Sequence, residues 1–267
     1  EEYRQALLQA LQSRWVDVYE NKGKRSGAYS WGVYGVHPYV LLNFNGMLRD
    51  VFTLAHEMGH AMHSHFTFKN QPYVYSSASI FTAEVASTTN EILLSEYLIR
   101  NADNKAEKAY LINYDLEQVR TTVYRQLLFA EFELEVHKNA EKGKPLTSKD
   151  FSMVWKNLYE KHYGDTLFID DELSLEWARI PHFYDAYYVY QYATGYSAAT
   201  AIATSILEEG EAAVDRYLRF LSLGSSVDPV DALKVAGVDM TSPRPLELTC
   251  KKFKKDLDSL KSLLESE

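Results

Sequence analysis

Apolar residues recur at helical spacing along most of the chain. Leu7, Leu8 and Leu11 follow this spacing near the start of the sequence. From Asp50 onward a longer apolar stripe has the same period, and Asp50 is expected to cap the helix that it predicts. The same criterion predicts helices at residues 3–14, 79–100, 105–141, 148–163, 183–208, 210–221 and 247–265.

The pattern changes at residues 27–44, where aromatic and β-branched residues surround glycines and a proline. This composition is typical of a hairpin or a small sheet. Residues 15–18 indicate a further short extended segment. The chain is therefore predicted to be mainly α, with a small β-sheet just before the helix that begins near Asp50. No shift in composition marks a domain boundary, so residues 1–267 are predicted to form a single domain.

Composition and charge exclude several classes of function. Hydrophobic residues make up 46% of the 267 residues, which is enough for a sizeable core. The formal net charge of −9 argues against nucleic-acid binding, which requires clustered basic residues. Cys250 is the single cysteine, so no disulfide can form within the chain and a reducing compartment is expected. No apolar run approaches the roughly 20 residues of a membrane span. These observations predict a cytoplasmic protein that binds neither nucleic acid nor membrane.

The strongest chemical signal is the sequence His-Glu-Met-Gly-His at residues 56–60. It matches the pattern H-E-x-x-H, in which two imidazoles one helical turn apart project from the same face. Zinc can take both nitrogens as ligands, and the adjacent glutamate can take a proton from water. We interpret His56 and His60 as metal ligands and Glu57 as the general base. Gly59 costs a helix about 0.5–1 kcal/mol relative to alanine, so another segment is expected to approach the backbone there.

A catalytic zinc site of this kind needs a third protein ligand and leaves a fourth position open for water. The metzincin continuation is excluded, because Phe66 occupies the position of its third histidine. The helix predicted at residues 79–100 supplies Glu84 and Glu91, which lie seven residues apart on one face. We assign Glu84 as the ligand and Glu91 as the partner of a liganding histidine, although spacing alone also allows the reverse order. His63 is interpreted either as a contact to a metal ligand or substrate, or as a packed histidine.

A second cluster of functional residue types lies at residues 181–196, where six tyrosines follow His182. Packing in the core is expected for Tyr188 and Tyr192. Phenolic hydroxyls and an imidazole aimed at the carbonyl under attack would stabilise an oxyanion, and we favour that role for some of the other residues.

Together these segments resemble the oligoendopeptidase F branch of the thimet-oligopeptidase-type zinc peptidases. The segments that carry the resemblance are residues 24–29, 37–44, 56–60, 81–91 and 180–195. The resemblance implies a multi-helix, zincin-like catalytic lobe with a small sheet next to the H-E-x-x-H helix, and one Zn²⁺ per chain. It also implies that residues 1–267 are the C-terminal catalytic half of a longer two-lobed enzyme, whose missing N-terminal lobe would be a partner.

The same resemblance assigns roles to individual residues. It implies that Glu84 is the third zinc ligand and that Glu91 supports the site, which resolves the order that spacing left open. His182 and Tyr190 would stabilise the oxyanion. Residues 33–37 would bind peptide backbone by strand addition. Substrate contacts are implied for Tyr184, Tyr187, Val36 and His37.

The predicted activity is zinc-dependent hydrolysis of internal peptide bonds in short oligopeptides, with Glu57 as the general base. Two alternatives stay open. One is a zinc carboxypeptidase of similar fold, and the other is a peptide-binding zinc module without catalysis.

Overall fold

The helical periods appear in the three-dimensional structure, a computed structural model that describes residues 1–265. Ten helices form within these residues: α1 (Glu2–Gln12), α2 (Leu48–Asn70), α3 (Ile80–Arg100), α4 (Lys105–Val119), α5 (Arg125–Glu141), α6 (Ser148–Tyr163), α7 (Tyr190–Glu209), α8 (Glu211–Leu221), α9 (Pro229–Val235) and α10 (Arg244–Glu265). A π-helical turn at Arg120–Tyr124 joins α4 to α5. The prediction of a mainly helical chain is confirmed.

The start of α2 differs from the prediction in one respect. Asp50 is the third residue of the helix rather than its cap, which is Met47. The Oδ2 atom of Asp50 accepts hydrogen bonds from the backbone N–H groups of Asn45 and Met47, at 2.8 and 3.1 Å. Asp50 therefore holds the backbone of the residues that precede the helix. Its negative charge also stabilises the helix, because it lies near the N-terminus.

Helix α1 buries a different face from the one that its leucines suggested. Ala6 and Ala10 are buried, whereas Leu8 and Leu11 are 40% and 50% exposed. The spacing predicted the helix but not the face that packs. Helix α9 was not predicted, because seven residues are too few to display a helical period.

The helix predicted over residues 183–208 begins only at Tyr190. Pro181–Tyr184 forms a 3₁₀ turn, and Tyr187 has a φ angle of 58° in the left-handed region that non-glycine residues rarely adopt. The buried carboxylate of Glu133 on α5 accepts a hydrogen bond from the Tyr187 backbone N–H at 2.7 Å. This contact between distant residues fixes a turn where the local sequence pattern predicted a helix.

A three-stranded sheet precedes α2, as predicted. Its strands are β1 (Val16–Asp17), β2 (Tyr29–Trp31) and β3 (Tyr39–Leu41), in the order β1-β3-β2. Strand β1 pairs with β3 in parallel and β2 pairs with β3 antiparallel. Next to β2, a Cβ on Gly32 would lie 2.7 Å from Phe68 Cζ, so the sheet packs closely against α2. The small sheet beside the H-E-x-x-H helix is therefore confirmed.

Residues 33–37 lie in the connection between β2 and β3 and form no strand, contrary to the expected sheet edge there. Val36 is half exposed in this connection. The ring of His37 stacks on that of Trp15 with a centroid distance of 5.1 Å. In the described part of the chain, the strand with an unpaired edge next to α2 is β2.

The chain divides into two compact units, Glu1–Leu116 with Thr194–Glu267, and Glu117–Ala193. The second unit has a core of its own, formed by Leu128, Phe129, Phe132, Trp155, Tyr159, Ile180 and Val189. The single catalytic domain expected over the whole chain stays a prediction. Within residues 1–265, no helix is both long enough and apolar enough to cross a membrane.

An ion cluster holds α10 within the first unit. The Nζ atom of Lys252 lies 2.5 Å from a carboxylate oxygen of Asp115 on α4, 2.7 Å from Asp256 and 3.3 Å from Glu96 on α3. Asp115 also accepts a hydrogen bond from Ser95 Oγ at 2.8 Å. Three carboxylates share this one ammonium group, which offsets part of the large cost of burying their charges.

Candidate metal centre

Helices α2 and α3 cross in direct contact at Gly59. A Cβ on Gly59 would lie 2.5 Å from the Cα atom of Ser87 and 2.7 Å from the carbonyl oxygen of Ala86, both on α3. The side-chain amide of Asn90 on α3 also donates a hydrogen bond to the carbonyl oxygen of Ala55 on α2, at 3.1 Å. The expectation that another segment approaches Gly59 is therefore confirmed, and the crossing brings the histidines of α2 against the glutamates of α3.

Three donor atoms converge at this crossing. His56 Nε2 lies 3.1 Å from His60 Nε2 and 3.3 Å from Glu84 Oε2, and the distance from His60 Nε2 to Glu84 Oε2 is 3.5 Å. Ligands about 2.05 Å from a tetrahedral zinc ion lie about 3.3 Å from one another. Two imidazole nitrogens and one carboxylate oxygen are also donor types that zinc prefers. The residues present therefore fit zinc in both chemistry and spacing.

Glu91 orients the first of these histidines. Its Oε1 atom lies 2.5 Å from His56 Nδ1, so the imidazole donates its Nδ1–H to the carboxylate and turns Nε2 toward Glu84 and His60. Burial disfavours the charged imidazole, but hydrogen bonds to Glu84 and Glu91 outweigh it and raise the pKa of His56 to about 10. The carboxylates of Glu84 and Glu91 therefore favour the binding of a positive charge at this centre.

The carboxylate of Glu84 is held in its ionised form. Burial acts to raise its pKa, but hydrogen bonds from His56 and His60 prevail and lower the pKa well below the ordinary value. Ser87 Oγ lies one turn further along α3 and donates to Glu84 Oε2 at 3.2 Å. An ionised, oriented carboxylate is the form in which glutamate binds a metal.

Glu57 lies on α2 between the two histidines and is 7% exposed. Burial raises the pKa of its carboxyl group, and the charges of His56 and His60 act in the opposite direction. The net shift is upward, toward the pH at which a group can both take up and release a proton.

His63 is buried on the same helix. Its ring lies 5.4 Å from the ring of Phe220, and burial lowers its pKa to about 4, so that it is neutral at pH 7. The contact with Phe220 agrees with the interpretation of His63 as a packed histidine. The role as a contact to the substrate stays a prediction.

The aromatic segment belongs to the second compact unit. His182 Nε2 lies 3.4 Å from the hydroxyl oxygen of Tyr192, and its ring stacks on Tyr188 with a centroid distance of 5.7 Å. Tyr188 and Tyr192, expected in the core, are only partly buried. Their contacts with His182 were not predicted, because residues 183–208 were expected to form one continuous helix. The tyrosines with predicted substrate roles are exposed, namely Tyr184, Tyr187 and Tyr190.

Replacing Glu91 with alanine should lower zinc affinity by about 10- to 100-fold, because His56 would lose the acceptor that fixes its tautomer and ring orientation. Competition with a chromophoric chelator measures this affinity. Glu91→Gln keeps an acceptor oxygen and should recover part of the loss. Equal affinities for wild type and Glu91→Ala would contradict the positioning role.

Comparison with known proteins identifies relatives along nearly the whole chain. The model of "Peptidase family M3" matches residues 3–252. The chain is 56% identical over 264 residues to "Oligopeptidase PepF" of Bacillus subtilis (strain 168) and 47% identical over 265 residues to "Oligoendopeptidase F, chromosomal" of Lactococcus lactis subsp. cremoris. These alignments cover 99% of this chain but 39% and 44% of the two relatives. The chain therefore spans about two fifths of the length of these relatives.

A solved structure shows the same arrangement of elements. The crystal structure of oligoendopeptidase-F from Enterococcus faecium superposes with a TM-score of 0.74 at 44% sequence identity. The superposition covers 82% of this chain and 40% of that one.

Proposed function

The chain belongs to peptidase family M3, and from this premise we propose that it hydrolyses internal peptide bonds of oligopeptides with one zinc ion. Membership of this family implies a metal. The observation that carries the proposal is the set of three donor atoms on His56, His60 and Glu84, separated by 3.1 to 3.5 Å as the ligands of one tetrahedral zinc ion would be.

A zinc ion, when bound, supplies Lewis-acid polarisation of the scissile carbonyl and lowers the pKa of water. Glu57 is proposed to take the proton from the attacking water and to deliver it to the nitrogen of the leaving amine. Burial of Glu57 supports both steps, because it opposes the very low pKa that would make a carboxylate too weak a base. Glu91 keeps His56 in the tautomer that exposes Nε2 to the metal.

The remaining assignments rest on the resemblance. We assign hydrogen bonds to the developing oxyanion to His182 and Tyr190. Tyr190 is 39% exposed, which is compatible with a contact to a bound peptide. The residues proposed to contact the substrate are Tyr184, Tyr187, Val36, His37 and His63.

Partners and location follow from the same proposal. Oligopeptides are the proposed substrates, and the N-terminal lobe implied by the resemblance is a proposed partner. The single cysteine supports a cytoplasmic location. The two curated relatives described above carry the names oligopeptidase and oligoendopeptidase, which supports an action on short peptides.

Metal removal tests the proposal. The zinc-loaded chain should cut an internally quenched peptide that is blocked at both ends, and a chelator should lower that rate by at least about 100-fold because several kcal/mol of transition-state stabilisation depend on the metal. Metal analysis of the same samples should give one zinc per chain, and added zinc should restore the rate.

Two outcomes would overturn the proposal. Cleavage confined to peptides with a free C-terminus would indicate a carboxypeptidase. Stoichiometric zinc without turnover of any peptide would indicate a binding module.

A further inference from the structure

A pocket of about 380 Å³ opens at the N-terminal end of α2, against the residues that lead into β2. Ala28 lines it from the sheet side, and Arg49 and Thr53 line it from α2. The hydroxyl of Thr53 donates a hydrogen bond to the carbonyl oxygen of Arg49 at 2.9 Å, so this part of the wall is held by the helix itself. We call it the Arg49 pocket.

Arg49 lies on the face of α2 that carries the metal ligands. Each residue of an α-helix turns by about 100° and rises by about 1.5 Å, so Arg49 lies within about 20° of both His56 and His60 around the helix axis. It precedes His56 by seven residues, which correspond to about 10.5 Å along the axis. The Arg49 pocket therefore lies on the same surface as the metal centre, about two turns away.

Strand β2 connects the pocket with the metal centre. Ala28 lines the Arg49 pocket with Thr53, whereas Ser30 lines a smaller pocket with His60. The strand therefore runs past the metal centre from the Arg49 side, and its outer edge is unpaired in the part of the chain that the structure describes. A peptide with its cleaved bond at the metal would extend beside this edge at about 3.3 Å per residue. A substrate residue about two to four positions from the cleaved bond would then reach Arg49.

The guanidinium of Arg49 has no carboxylate partner. Arg49 is exposed, and within residues 1–265 its side chain forms no ion pair and no hydrogen bond. Asp50 also lines the pocket, but it is 8% exposed and accepts backbone hydrogen bonds from Asn45 and Met47. Glu20 accepts a hydrogen bond from the side-chain amide of Asn45 at 3.0 Å. An incoming carboxylate would therefore meet a guanidinium whose donors are not already used.

We propose that Arg49 binds a carboxylate of the substrate about two to four residues from the cleaved bond, and that it gives the chain a preference for acidic peptides. This inference rests on the proposed function, because it assigns a substrate preference to the same centre. A planar guanidinium can donate two parallel hydrogen bonds to one carboxylate. The charges of the metal centre are largely screened at a distance of about 10 Å, so Arg49 decides the preference.

Peptides that differ in one side chain test the preference. The parent is an uncharged peptide blocked at both ends, and Gln or Glu replaces one residue at a time, up to four positions from the cleaved bond on either side. At one position kcat/KM should be at least about fivefold higher for Glu than for Gln, because the two side chains have the same shape and differ in charge. The immediately neighbouring positions should change by less than about twofold, because side chains of an extended peptide alternate in direction.

A second pair of peptides identifies the source of the carboxylate. Both end about two to four residues after the cleaved bond, and their C-terminus is either free or amidated. A gain from Glu in the blocked peptides assigns the site to an acidic side chain, whereas a gain from the free C-terminus assigns it to the terminal carboxylate. Either gain supports the proposal only if it depends on Arg49.

Substitution of Arg49 locates the preference. Arg49→Gln should reduce the Glu-to-Gln ratio of kcat/KM to less than about twofold, and Arg49→Glu should make a Lys peptide a better substrate than the Glu peptide. Arg100→Gln is the matched control, an equal loss of charge at an exposed residue about 24 Å along α3 from Glu84. This control should keep the wild-type preference. A rise in ionic strength from about 0.05 to about 0.5 M should reduce the preference of the wild type.

The outcomes separate the two proposals. If Glu and Gln peptides are cut equally well at every position, and free and amidated peptides as well, the Arg49 assignment is wrong and the peptidase function stands. If no peptide is cut, the peptidase function is wrong. In that case fluorescence polarisation measures the dissociation constants of labelled forms of the same peptides for wild type and Arg49→Gln. Equal constants would overturn the Arg49 assignment as well, whereas tighter binding of the acidic peptide by the wild type alone would support it.

Discussion

Exchange of Glu57 for glutamine should leave zinc bound and lower kcat by roughly 10²- to 10⁴-fold, the range that a general base typically contributes. The carboxamide has nearly the same size and shape, so the buried surroundings of Glu57 can accept it without rearrangement. It cannot take up a proton, however, and the attacking water would keep its own. The zinc ligands are untouched, because His56, His60 and Glu84 belong to other positions of the two crossing helices.

Three measurements on Glu57→Gln check this result: zinc content, melting temperature and kcat for the blocked peptide. The matched control is Glu107→Gln, an equal loss of charge at an exposed position of α4. A Glu57→Gln protein that retains more than about a tenth of wild-type kcat with full zinc occupancy would show that another group accepts the proton.

Gly59→Ala should destabilise the chain and also weaken its hold on zinc. In an unobstructed helix this substitution stabilises by about 0.5–1 kcal/mol. At Gly59 the new Cβ would stand 2.5 Å from Ser87 Cα, and an ordinary contact requires at least 3.4 Å. Overpacking of this kind costs about 1–3 kcal/mol, so the unfavourable effect wins.

The same clash acts on the metal site. Relief of the contact requires α3 to shift by about 1 Å, whereas zinc ligand distances tolerate only about 0.2 Å. Glu84 would move away from His56 and His60, and zinc affinity should fall by at least about tenfold. Urea unfolding and chelator competition measure the two effects.

Gly195→Ala is the matched control for Gly59→Ala. Its Cβ would meet only Glu84 Cβ at 3.8 Å, an ordinary contact, so this variant should be neutral or slightly stabilised. If Gly59→Ala proved as stable as Gly195→Ala and bound zinc equally well, the close crossing would not hold the ligands in place.

Features encoded within a few neighbouring residues could be predicted from the sequence. The periods of α2 and α3 and the pairing of His56 with His60 follow from spacing along one helix. The cost of a helical glycine at position 59 indicated a close contact, although not the segment that makes it. The turn around Tyr187 could not be predicted, because the buried carboxylate of Glu133 lies more than fifty residues away in sequence. A local sequence pattern could not predict the parallel pairing of β1 with β3 either.

The candidate site could likewise be predicted only in part. Its donors are carried by two helices, and the glycine at their crossing was readable as a sign of close contact. Spacing alone left open which of Glu84 and Glu91 meets the metal, since both lie on one face of α3. In the structure Glu84 Oε2 lies beside both Nε2 atoms and Glu91 Oε1 lies beside His56 Nδ1.

The contact between Glu91 and His56 links metal uptake to acidity. Without a cation, the two carboxylates keep a proton on His56 up to a pH of about 10, so at neutral pH zinc must displace that proton to reach Nε2. Occupancy then becomes a competition between two positive ions for one nitrogen. Below that pKa, each unit of acidification should weaken apparent zinc binding about tenfold. Acid would thus empty the centre.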